Sequence, residues 1–102
     1  MSNEPWVIIV GTEPREPDGR EMLELILAGA TLEVEMVVVF EGAGCAHLEP
    51  EVFAPWRQLV DFELARVHAR RPSGTLLPSG VSTIDDVALE RCCRDSAGVL
   101  RL

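Results

Sequence analysis

The chain has 102 residues, 47% of them hydrophobic, and a formal net charge of −8. That length holds one domain around one modest core, and the apolar content excludes a disordered chain. All 9 fixed cations are arginines, which excludes a phosphate-loop or Schiff-base lysine, and the excess of acid opposes direct binding of nucleic acid.

No apolar run approaches the roughly 18 residues of a membrane-spanning helix, so no membrane partner is expected. The opening Met1-Ser2-Asn3-Glu4-Pro5 lacks the basic and apolar regions of a secretory signal, and a cytoplasmic location is expected. Cys45, Cys92 and Cys93 are an odd number, which predicts free thiols rather than a disulfide framework. The surplus negative charge favours solubility or a basic protein partner.

In chain order, Trp6 to Val10 is a compact apolar strand ended by Gly11. Thr12 to Gly19, with Pro14 and Pro17, reads as a loop whose Asp18 or Gly19 caps the next helix. Arg20 to Ala30 places Met22, Leu23, Ile26, Leu27 and Ala30 on one helical face. Val34 to Phe40 is almost unbroken apolar chain, interrupted only by Glu35. A strand with one wet face would alternate; a near-continuous run predicts a central parallel strand covered on both sides. Together these make a βαβ unit with a right-handed crossover. Ligands of open α/β sheets sit beyond the carboxyl ends of the strands. The turn Glu41-Gly42-Ala43-Gly44-Cys45-Ala46-His47 is therefore the first place to look for a site.

Pro55 suits the first position of a second helix, predicted to run to about Arg70. Its core face is Trp56, Leu59, Val60, Leu64 and Val67, with Phe62, Ala65 and Ala69 as a weaker second stripe and His68 on the outer side. Two readings of Phe62 stand: a lone exposed apolar residue, or a contact with another subunit. Thr75 to Leu77 reads as a short strand. Ser82 or Thr83, each with an aspartate three residues on, reads as the start of a helix ending near Arg94, and Val99 to Leu102 as a closing strand. The expected fold is a single α/β domain over residues 1–102, a small parallel sheet of about four strands with helices on both faces. Uncovered sheet edges are one physical reason to expect an oligomer.

For chemistry, Cys45 and His47 are the first candidates, since a nearby imidazole lowers a thiol pKa and makes a nucleophile. The opposing reading is a small thiol tucked under the loop beside a solvated His47. Gly42-Ala43-Gly44 resembles part of a dinucleotide fingerprint, but His47 stands where the third glycine belongs. Cys45, His47 and Glu49 lack a second ligand cluster at metal-site spacing, so neither a metal nor another cofactor is expected. Adjacent Cys92 and Cys93 cannot bond to each other on a helix; one is expected in the core and one partly exposed near Arg91 and Arg94. Glu13, Glu16 and Asp18 form an acidic loop without the cleft that catalytic carboxylates need.

The segment Gly19 to Ala30, running into Val34 to Phe40 and then Glu41-Gly42, resembles the DsrE/DsrF-like sulfur-relay family, and most of all its DsrF/TusC branch. The resemblance covers about residues 6 to 48. It implies a compact parallel α/β fold, assembly with copies or related subunits, and a role in passing protein-bound persulfide, in tRNA thiolation or sulfur oxidation. In the DsrE/TusD branch a cysteine after the third strand carries the sulfur. Here the corresponding stretch, Leu76-Leu77-Pro78-Ser79-Gly80, has none. The expectation is a subunit that offers an interface rather than an enzyme, with Gly42, Gly44 and Phe62 as ligand- or partner-binding residues. The alternatives are an active persulfide carrier using Cys45, and a small-ligand or nucleotide-binding α/β domain.

Overall fold

A computed structural model of the chain describes residues 4–15, 18–70 and 77–102. Five strands, β1 (Trp6–Val10), β2 (Met36–Phe40), β3 (Arg66–Arg70), β4 (Val81–Ile84) and β5 (Gly98–Arg101), form one sheet in the order β4-β3-β2-β1-β5. Every pairing is parallel. Helix α1 spans Asp18–Thr31, and the Gly42–Leu48 segment after β2 is a 3-10 turn. Two short helices, α2 (Pro50–Phe53) and α3 (Arg57–Asp61), are joined by a 3-10 turn over Ala54–Trp56, and α4 spans Asp86–Arg94. Asp18 and Gly19 are the first two residues of α1 rather than its cap, and Glu16 of the acidic loop lies outside the described residues.

The apolar run is the middle strand, as its composition predicts. All five residues of β2 are buried, and none exceeds 7% exposure. Met36, Val38 and Phe40 face one side with Ile8 and Val10, against Leu23 and Ile26 of α1 and Leu48, Phe53, Trp56 and Leu59 of the short helical pieces. Val37 and Val39 face the other side with Val7 and Ile9, against Ile84 and Leu89. The handedness rule explains the division. Moving from β1 to β2 to β3 steps the chain one way across the sheet and puts those helices on one face. The return from β4 to β5 reverses direction and puts α4 on the other.

The second half departs from expectation. The helix expected from Pro55 to Arg70 stops at Asp61, and residues 66–70 are β3 instead. Val60, Leu64 and Val67 happen to fit helical spacing, but from Arg66 on the burial alternates with period two, Val67 and Ala69 inward. Pairing with β2 satisfies the backbone groups of the buried middle strand, a demand that local propensity does not register. The second helical stripe therefore does not exist: Ala69 is fully buried in β3, and Phe62 stands alone at the end of α3, 72% exposed. Nor is His68 on a helix or solvated; it lies half-buried in β3, with Nδ1 2.9 Å from Ser82 Oγ.

Ser82 and Thr83 belong to β4 and cap nothing. The cap is Asp85, whose carboxylate accepts from the Ala88 N–H at 2.7 Å. The run Val81-Ser82-Thr83-Ile84 suits a strand better than a helix start, and both apolar ends are buried. For the strand expected over Thr75 to Leu77, Thr75 and Leu76 lie outside the described residues, and Leu77 belongs to the loop before β4. Among the described residues the count is thus five strands rather than about four.

Candidate functional site

The carboxyl ends of β1, β2 and β3 meet the turn that the sequence singles out. Gly42 adopts φ +55° there, a conformation glycine reaches without strain. Gly44 has a different reason to be glycine: a Cβ at this position would overlap the Val10 carbonyl oxygen. The turn therefore rests directly on the end of β1. Its two glycines are accounted for by backbone shape and close approach. The segment is a 3-10 turn followed by the four-residue α2, so no long helix opens at this point to present its N-terminus to a phosphate.

Cys45 is half-buried beneath this turn. Its thiol donates to the Phe40 carbonyl at 3.5 Å, with the Arg70 carbonyl 3.9 Å away. Burial pushes the thiol pKa up, and the Glu41 carboxylate adds to the shift. Cys45 is thus held as a thiol, the opposite of what a nucleophile needs.

His47 is not solvated: it is 1% exposed. Its Nε2 lies 2.9 Å from the Thr12 carbonyl oxygen. A carbonyl only accepts, so Nε2 carries the proton in that bond. The ring packs against Phe40 and Trp56, with centroids 5.6 and 5.1 Å away. Burial pulls its pKa below the ordinary histidine value, partly opposed by the bond to Thr12. Among the described residues, Cys45 and His47 share no hydrogen bond; each is tied to a different backbone carbonyl. The pair is close in sequence without forming a catalytic couple. His47 pins the exit of β1 to the turn after β2.

The charges at this end are not singled out by the sequence. Arg70 Nη1 reaches Glu41 Oε2 at 2.9 Å, and its Nε and Nη2 reach Asp86 Oδ1 at 2.9 and 2.8 Å. Arg101 Nη1 meets the other oxygen of Glu41 at 3.1 Å. Each of these residues ends a strand, follows one, or opens α4, so only the sheet order brings them together. They tie β2, β3, α4 and β5 across one face. Beside them Gly11, Glu41, Gly42 and Arg70 line an open recess of about 470 Å³.

The remaining thiols lie on α4. Cys92 and Cys93 are both half-buried against the Val7, Ile9, Val37 and Val39 layer, rather than one in and one out. Burial raises the Cys93 pKa, and the opposing pull comes from Arg101, not from Arg91 or Arg94. Among the described residues, no cluster of three or more histidines, cysteines or carboxylates could hold a metal ion, and no helix is long and apolar enough to cross a membrane.

Phe62, the remaining candidate, lies at the other end of the sheet, in the turn between α3 and β3. No family model matches this chain, and a search of curated proteins finds no match either.

Proposed function

We propose that this chain is a non-catalytic, DsrF/TusC-like subunit of a cytoplasmic persulfide-transfer assembly, contributing an interface to copies of itself, to related subunits or to sulfur carriers. The observation that carries this reading is the state of Cys45. The one cysteine in a turn directly after a strand is a hydrogen-bond donor under that turn, with its pKa raised by burial and by Glu41. A carrier needs an accessible thiolate. The sequence after β3, Arg71 to Leu77, contains no cysteine, so the carrier position of the DsrE/TusD branch stays empty with β3 at its observed place too.

Two features support an interface role. Edge strand β5 leaves Val99 40% and Leu100 38% exposed, beside backbone groups that another strand could pair. Phe62 is a large apolar side chain left in water. The decisive experiment incubates the protein with a sulfane-sulfur donor, reads its intact mass, and then tests co-purification with relay subunits. No added sulfur together with a stable complex is the expected result. A sulfur adduct that disappears in Cys45→Ser would overturn the reading in favour of a carrier.

A further inference from the structure

The amino-terminal end of the sheet carries a second, independent feature. Helices α1 and α3 close in the same way. Leu32, Glu33 and Val34 donate to Ala28, Ala30 and Gly29, and Phe62, Glu63 and Leu64 donate to Gln58, Val60 and Leu59 with the same spacings. This is the helix-closing turn whose left-handed residue is usually glycine. Here it is glutamate in both cases, Glu33 at φ 62° and Glu63 at φ 52°. In each turn the residue after the glutamate packs on the core and the residue before it faces water. Those outward residues, Leu32 and Phe62, are 77% and 72% exposed.

Between the second of these turns and the starts of β2 and β3 lies an open groove of about 640 Å³. Met36, Val60 and Leu64 contribute apolar lining, and Glu35 and Glu63 contribute carboxylates. Exposed Phe62 immediately precedes the lining residue Glu63. We infer that this groove docks a segment of another protein in which arginine or lysine stands next to apolar side chains. The inference rests on the partner-binding reading above and names the chemistry of the partner.

Charge selects the occupant. Glu35 and Glu63 line the groove against one fixed cation, Arg66, which leaves the lining acidic. A second copy of the chain brings a further net charge of −8, and nucleic acid brings phosphates; neither complements the acidic lining of this groove. A basic segment is attracted, and its apolar residues cover Phe62 and the lining beneath.

The test titrates the isotope-labelled full chain with a short synthetic peptide alternating arginine and leucine, and with its glutamate counterpart. Binding of the arginine peptide alone is expected, with amide shifts centred on Glu35, Phe62 to Ala65 and Gly80. Phe62→Ser, and separately the pair Glu35→Gln and Glu63→Gln, should each weaken it about tenfold. The charge-matched pair Glu49→Gln and Glu51→Gln, around the start of α2, should leave it unchanged. Equal loss in that control, shifts scattered over the surface, or no binding would overturn the proposal. So would Phe62-dependent self-association of the chain alone, which would give the groove to a second copy. A Cys45 sulfur adduct would sink the non-catalytic reading and leave these results untouched. Failure of the groove would leave the β5 edge as an interface.

Discussion

The two ends of one sheet are built in opposite ways. At the carboxyl end the turn after β2 lies on β1, His47 and Cys45 are bonded to backbone carbonyls, and Glu41 is shared by two arginines. At the amino end two helix-closing turns leave Leu32 and Phe62 in water, and an open groove lies beside the second of them. The general expectation for α/β sheets places function at the carboxyl end. In this chain that end uses its polar groups to hold strands together, and the two most exposed large apolar side chains among the described residues, Leu32 and Phe62, lie opposite. Position in the fold indicates where a site is easy to build; whether the side chains there are already committed decides whether one is present.

Among substitutions that would break this contrast, Gly44→Ala should be the most damaging, because its Cβ meets the Val10 carbonyl rather than a side chain that can move. A loss of about 3 kcal/mol is expected in urea unfolding, and wild-type stability would refute the close packing of turn on strand. Arg70→Met should follow. It removes the partner shared by Glu41 and Asp86, and since those groups are partly solvated the urea midpoint should fall by clearly less than in Gly44→Ala. The difference from wild type should shrink in high salt; a salt-independent loss would mean that packing, not charge, is responsible.

Acid should act through His47. Its pKa is lowered in the folded protein, so the unfolded chain takes up the proton first as pH falls through about 6.5. Stability is therefore full above that value, declines below it, and stops declining through this group once the folded pKa is passed. His68 is lowered too, by burial first and by Arg66, and acts in the same direction. His47→Gln should unfold more easily at neutral pH yet show a flatter dependence between pH 7 and the acid side; an unchanged slope would remove His47 as a contributor. The smallest effect belongs to the amino end: Phe62→Ser should alter stability by no more than about 0.5 kcal/mol. A larger loss would mean that Phe62 supports the fold, and the difference between the two ends would blur.

Much of the first half is legible because its signals are local. The buried run from Met36 to Phe40, the periodic face of α1 and the Gly11 stop each lie within a few residues. Cys45 and His47 stand in a turn at a strand end, as their neighbours in the sequence predict, but their relation to each other is not written there. Which way each side chain points depends on how Gly44 seats the turn on β1 and on the rings of Phe40 and Trp56 around the imidazole.

Local pattern established the α/β class, the middle strand, the first helix and the closing strand, since hydrophobic periodicity and chain-breaking residues act over one or two turns of chain. It could not separate a helix from a strand at Arg66 to Arg70, where both periods fit and the need of β2 for a neighbour settles the matter. Nor could it assemble Glu41, Arg70, Asp86 and Arg101, or pair the turns at Glu33 and Glu63, because strand order alone brings such distant segments side by side.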